Sequence, residues 1–314
     1  MTRTAIAAQI ADLAGQPDVH RAVRAAEEAC AQLRWHPALR KQADQAAAES
    51  RVRGAAASAL LEGAEVAGSV DSLQLVRDVM RGALDLPADP DPVWRATTAA
   101  IQVTAATETI SGGALAAPAQ VLARLHSAAA IPLMSSTYAG RPRQAGQDCA
   151  EWTELGPACP AEQLPARLAG IGELISAGRA GVGPAIVVTS LVHAEVIAAR
   201  PFVAGNALVA RALERLMLHR AGVDPLGVAV VEAGHAVGGG GDYRGAMTAY
   251  VEGGSLGVAL WLVHCAEAVT EGAARGRAVA DAVFNGTLTN EQITTKGARG
   301  TEYMTDDDPR GVVL

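Results

Sequence analysis

Aromatic residues make up only 3% of the 314 positions, so large rings cannot fill most of a core and small aliphatic side chains must do so. Lysine is nearly missing, with Lys41 and Lys296 alone, and no basic run is interleaved with aromatics. With a net charge of -7, that pattern argues against a nucleic-acid surface. The four cysteines, Cys30, Cys149, Cys159 and Cys265, lie far apart with no CxxC pair, and a reduced, cytoplasmic protein is the simplest reading. The most apolar runs, around 185–192 and 257–263, stop at His193 and His264, too soon for a membrane span. The N-terminus meets Asp12 before a long apolar stretch develops, so no secretory leader is expected. Neither nucleic acid nor membrane is an expected partner.

Apolar residues recur at three- and four-residue spacing and alternating β-branched runs are scarce, which predicts an all-α fold. Helices are expected over Thr4–Leu13, Asp18–Arg34, Pro37–Val66 and Ser72–Leu84, with a break at "LPADPDP" before the next begins. The segment "LMSSTYAGRPRQAGQDCAEWTELGPACP" is the one long irregular stretch, where Gly and Pro punctuation predicts a loop or short β-hairpin over 135–152. "PAIVVTSLVHAEVIAA" is apolar nearly all round and reads as a central, buried helix. The expected organisation is one helical globule: N-terminal helices over 1–75, a core over 76–285, and a polar tail over 286–314 containing "TDDDP".

After the buried helix comes "RPFVAGNALVAR", Arg200 to Arg211. A Pro-Phe turn followed by Gly-Asn opening a helix can hold an anion. Gly205 permits close backbone approach, Asn206 can cap or donate, and the free N–H groups of the first turn carry the positive end of the dipole. Arg211 can add a charged donor. The alternative is an ordinary helical corner, with Phe202 in the core, Asn206 as a cap and Arg211 on a solvated face.

The wider context resembles the Fic family, helical proteins that transfer AMP from ATP onto a target hydroxyl. The family motif reads His-Pro-Phe-x-(Asp/Glu)-Gly-Asn-Gly-Arg-x-x-Arg. Pro201, Phe202, Gly205, Asn206 and Arg211 match it, whereas Arg200, Ala204, Ala207 and Leu208 depart. Leu125–His126, Gly140-x-x-Arg143, "LGPACPAEQLPARL", His193, "DYRGAMTAY" and "GVALWL" resemble further family segments in the same order, from about 125 to 283. "SALLEG", residues 58–63, is similar to the (Ser/Thr)-x-x-x-Glu-(Gly/Asn) pattern of the family's inhibitory helix. Ser58 and Glu62, four apart, share a helix face. The resemblance implies a Fic-type bundle with a hairpin flap, a nucleotide such as ATP at Gly205, Asn206, Arg211 and Tyr243, and a protein target docking on 135–152. It also implies an inhibitory element of Ser58, Glu62 and Gly63, with Glu62 paired to Arg211.

The departures remove separate functions. Arg200 stands where the family's His accepts a proton, and a guanidinium with a pKa above about 12 cannot do so near neutrality. Ala204 offers no side-chain oxygen to Mg2+, so a bound Mg2+ is not expected. Leu208 cannot neutralise phosphate. Losing the acid–base group alone costs on the order of 10²–10⁴-fold in rate. AMP transfer is therefore not expected, and the catalytic position is without an assigned residue. Three readings stay open: a nucleotide- or phosphate-binding regulatory module, a transferase with altered donor chemistry, and a structural partner carrying a relic motif. Of the other candidates, His193 reads as structural and His235 as part of a Gly-rich surface connection. Tyr243 reads equally as a nucleotide neighbour or a packing residue. Arg141 and Arg143 read as solvated loop charges.

Overall fold

Helix follows helix along the chain in a computed structural model that describes residues 3–64, 72–85, 87 and 89–288. The N-terminal helices are α1 (Arg3–Gly15), α2 (Pro17–Arg34), α3 (Leu39–Leu61) and α4 (Ser72–Met80). Then follow α5 (Pro92–Thr109), α6 (Pro118–Leu133), α7 (Leu164–Arg179), α8 (Ala185–Ala199) and α9 (Asn206–Arg220). The short α10 (Val231–His235), α11 (Gly241–Glu252) and the long α12 (Gly254–Phe284) complete the order. Local chemistry sets several starts. Pro17 and Pro92 occupy first-turn positions where no N–H is needed, and Asp91 caps α5 by accepting from Trp94 N at 2.8 Å.

The centre is the α8–α9 pair. Nearly every side chain of α8 is buried, as the absence of a polar face predicts, and α9 buries Asn206 through Leu218 without interruption. α7 covers α8, α5 lies against α6 and α3, and α12 runs beside α2, α10 and α11. Each fully buried Val, Leu or Ile contributes about 1.5–3 kcal/mol, so a core built of many small side chains compensates for the scarcity of rings. Trp261, fully buried, donates Nε1–H to Ser190 O at 2.7 Å and ties α12 to α8.

α3 is brought close to α9 by polar contacts as well as packing. Arg215 of α9 forms a bidentate pair with Glu232, both contacts at 2.7 Å, and reaches Ser50 Oγ at 3.3 Å. A Cβ on Gly54 would lie 2.6 Å from Arg215 Nη2, so this mid-helix glycine permits the approach.

Two expectations are corrected. The helix expected over Pro37–Val66 ends at Leu61, because Gly63 turns left-handed (φ +77°) and donates to Leu60 O, while Ala64 N donates to Ala59 O. Residues 65–66 lie outside the described part, as does the expected tail from 289 onward. The β-hairpin over 135–152 is not formed. Among the described residues the chain has no strand, and this region holds single 3-10 turns at Ser136–Tyr138 and Thr153–Leu155 within irregular backbone. Arginine side chains take up several of its carbonyls, in place of a ladder. No helix among the described residues is long and apolar enough to cross a membrane.

Candidate functional site

The loop between α8 and α9 is closed from inside. Arg200 ends α8 in the left-handed region (φ +45°), and Phe202 drops into the core, stacked on His126 with centroids 3.8 Å apart. Asn206 Oδ1 accepts from Phe202 N at 2.9 Å while its Nδ2 donates to Phe202 O at 3.0 Å, so one side chain clamps both ends of the turn. Gly205 sits at φ +83°, a left-handed conformation that favours glycine, immediately before α9 begins. His126 Nδ1 accepts from Gly140 N at 2.9 Å, which leaves Nε2 to donate to Ala204 O at 3.1 Å. Burial lowers its pKa to about 4, so the imidazole is neutral.

The N–H groups at the start of α9 already hold an anion. The carboxylate of Glu151, from the irregular segment, accepts from Gly205 N through Oε1. Its Oε2 accepts from Asn206 N at 3.0 Å and Asn206 Nδ2 at 2.8 Å. Burial and the neighbouring charge of Glu62 raise its pKa, and the three donors oppose them. Glu151 was not among the sequence candidates. Its only signal was a carboxylate in a segment with no helical face to belong to.

Arg200 points into that same segment. Its Nη1 donates to Trp152 O at 2.8 Å and Glu151 O at 3.3 Å, and its Nη2 donates to Pro157 O at 2.9 Å. Arg143 supports it from behind, donating from Nε to Arg200 O at 2.8 Å and from Nη2 to Cys159 O at 2.7 Å. The expectation that Arg143 is a solvated loop charge is therefore corrected: it is buried, and its guanidinium replaces backbone pairing in a stretch without strands. Arg141 is exposed.

Arg211 and the α3 terminus meet. Arg211 Nη2 donates to Glu62 Oε1 at 2.6 Å, and Arg211 Nε donates to Ser58 Oγ at 2.8 Å. Arg211 is 1% exposed. Burial, the largest single effect, would lower its pKa, but Glu62 and Tyr243 together outweigh it and hold the group above the usual arginine range. Glu62 occupies the C-terminal end of α3, where a helix dipole disfavours negative charge, so Arg211 supplies its compensation. Gly63, beside it, forms the helix stop. Tyr243 is buried, with its ring 6.0 Å from the Arg211 guanidinium carbon and its hydroxyl 2.8 Å from His193 Nε2.

His193, Glu214 and His235 form a second buried cluster. Glu214 Oε2 lies 2.9 Å from His193 Nδ1 and 2.8 Å from His235 Nε2, and His235 Nδ1 is 3.1 Å from His264 Nε2. His235 is thus fully buried and not part of a surface connection, although Gly238 and Gly239 after it are exposed. Burial lowers the pKa of His193. Burial also opposes an ionised Glu214, but the paired imidazoles overcome it and hold the carboxyl well below its usual range. The three donor atoms lie within 4.8 Å of one another, close enough to ligate a cation. Tyr243 O–H donating to His193 Nε2 puts the imidazole proton on Nδ1, directed at Glu214, so hydrogen bonds complete the cluster. At the motif loop no Mg2+ set is present: Ala204 has only its carbonyl, which faces His126, while Glu151 and Glu62 are bound to N–H groups and Arg211.

The helical fold has counterparts among solved structures. A Fic family protein from Desulfovibrio desulfuricans G20 matches with a TM-score of 0.62 and 20% identity, over 88% of this chain and 77% of that one. Fic-1 from C. elegans (aa 134–508) gives a TM-score of 0.56 at 15% identity, over 85% and 72%. A Fic domain-containing signaling protein from Bacteroides thetaiotaomicron gives 0.52 at 13%, over 83% and 98%. No family model matches the chain in sequence, and no curated protein does. The chain has the Fic fold.

Proposed function

We propose that this Fic-fold chain is deficient in AMP transfer to target hydroxyls and acts as a nucleotide- or phosphate-binding regulatory module. One observation carries the binding half: a carboxylate sits on Gly205 N, Asn206 N and Asn206 Nδ2. Three N–H groups converging on two oxygens suit a phosphate equally well. The loss of transfer is supported by what replaces the family's reactive groups. Arg200 is a guanidinium committed to three carbonyls and has no lone pair for a proton. Leu208 is 1% exposed and belongs to the core. The set of residues at the loop does not fit Mg2+, so no step is routed through it.

The Glu62–Arg211 pair supports a regulatory role. A guanidinium beside an anion site would bind phosphate, and a carboxylate that takes it first competes. Incubation with labelled ATP tests both halves in one assay. Expected are retention of label on native protein, loss of that label on denaturation, and no covalent AMP. Covalent incorporation that disappears in Gly205→Ala would refute the deficiency; no retention at millimolar ATP would refute binding.

A further inference from the structure

We propose that Glu151 is the resident ligand of the Gly205–Asn206 cradle, and that the 149–159 segment, latched by Arg200, must lift before a phosphate can enter. The inference rests on reading the cradle as an anion site. It adds a second internal carboxylate, distinct from Glu62, supplied by the irregular segment rather than by α3.

Both Glu151 oxygens are engaged, one by Gly205 N and the other by Asn206 N and Nδ2, so a phosphate cannot share the cradle with it. Arg200 is the latch. From the position where a proton acceptor would stand, it holds the carbonyls of Glu151, Trp152 and Pro157 and so fixes the backbone on both sides of the 3-10 turn. Trp152 is forced to φ +54°, a left-handed conformation that a bulky residue keeps only where its surroundings impose it.

The segment is nonetheless built to move. Gly146 (φ +81°) precedes it and Gly156 (φ +77°) lies within it, and a Cβ at either would meet nothing within 4 Å. Its outer ion pair, Glu154 with Arg244, is exposed and water can replace it, whereas the Trp152 ring, under the Arg244 guanidinium at 4.6 Å and edge-on to Tyr243, is buried and is what lifting must expose. The occupant itself is under pressure, since burial and the charge of Glu62 both disfavour the ionised carboxylate. A ligand carrying more charge than Glu151 and not tethered to the loop would take its place.

Cys149 reports the movement directly. It is 5% exposed, lies 3.5 Å from Asn206 Nδ2, and burial raises its thiol pKa, so alkylation requires the segment to lift. Cys159 is partly exposed and reacts in any state, whereas Cys30 and Cys265 are buried elsewhere and report unfolding. The experiment is iodoacetamide labelling of the full chain, read peptide by peptide, with pyrophosphate as the probe anion. Expected in Glu151→Ala are Cys149 labelling and pyrophosphate affinity each raised at least about tenfold, with Cys30 and Cys265 unchanged. Saturating pyrophosphate should also speed Cys149 labelling in the unaltered protein.

Faster Cys149 labelling in the variant without pyrophosphate binding would uphold the latch and refute the cradle as an anion site. Tighter pyrophosphate binding with Cys149 still protected would overturn the lifting segment. No change in either would overturn the whole proposal. Should Glu151→Ala also expose Cys30 and Cys265, Arg200→Lys carries the same comparison, because it keeps the charge but loses the fork that spans three carbonyls.

Discussion

Replacing Glu62 by glycine isolates the regulatory contact. The change removes a carboxylate 2.6 Å from Arg211 Nη2 and leaves the guanidinium its bonds to Ser58 Oγ and Ser58 O. An exposed pair is worth about 0–1 kcal/mol, whereas stripping one partner from a fully buried pair costs about 3–5 kcal/mol. Here Arg211 is 1% exposed and the Glu62 side chain 19%, so water can reach one partner only. An intermediate loss of about 1–3 kcal/mol follows, softened because the departing carboxylate sat at the unfavourable end of a helix. That is more than a partly exposed pair would give, and burial of the arginine is the reason. The freed guanidinium then gains a charged hydrogen bond to any phosphate at the loop, worth about 1.5–3 kcal/mol, or about tenfold or more in affinity. The assay is thermal melting with and without pyrophosphate. Glu62→Gly should melt several degrees lower alone, at about 2–4 °C per kcal/mol, and rise further than the unaltered protein when the anion is added. Unchanged pyrophosphate affinity would refute the regulatory reading, whatever the melting temperature does.

Acid should destabilise the fold through His126. Its pKa falls from 6.5 in the unfolded chain to about 4 when buried, so the unfolded state alone takes up a proton in that interval. Stability is therefore lost as pH drops through 6.5 towards 4, by about 3 kcal/mol from this residue. His264, lowered to about 3 chiefly by burial, acts in the same direction. Urea midpoints at pH 7 and pH 5 check this, and a His126→Gln variant with undiminished pH dependence would contradict it. Arg200→His with Ala204→Asp restores two family groups but removes the latch on the 149–159 segment. Leu208→Arg would in addition bury a charge in the core, so the triple variant should melt below the double one; equal melting temperatures would show that site to be more open than its 1% exposure indicates. Gly205→Ala meets only ordinary contacts, 3.5 Å to Ala129 Cβ, but forces alanine to φ +83°, costing about 1–2 kcal/mol in melting experiments. A stabilised variant would be inconsistent with that turn.

The helices were legible because each buries a periodic face, and α8 stood out because it has no polar one. The contact between Glu62 and Arg211, residues far apart in the chain, was legible through two motif resemblances. The 133–160 region was legible as irregular but not as a strandless loop, because several of its carbonyls are taken by Arg143 and Arg200 rather than by a partner strand. Nothing in local spacing says that an arginine will bind carbonyls rather than solvent. Glu151 was hidden for the same reason: its partners are main-chain N–H groups of a distant loop. Around His235 the glycines that follow dominate the local pattern and point to the surface, while the carboxylate that draws the ring inward lies on α9.

The most direct test of the account follows the backbone amides of Gly205 and Asn206 by NMR during an ATP titration without Mg2+, in the unaltered chain and in Glu151→Ala. Both amides should shift saturably, at lower ATP in the variant, with no covalent AMP on recovered protein. Amides that stay fixed in the variant at millimolar ATP would contradict it.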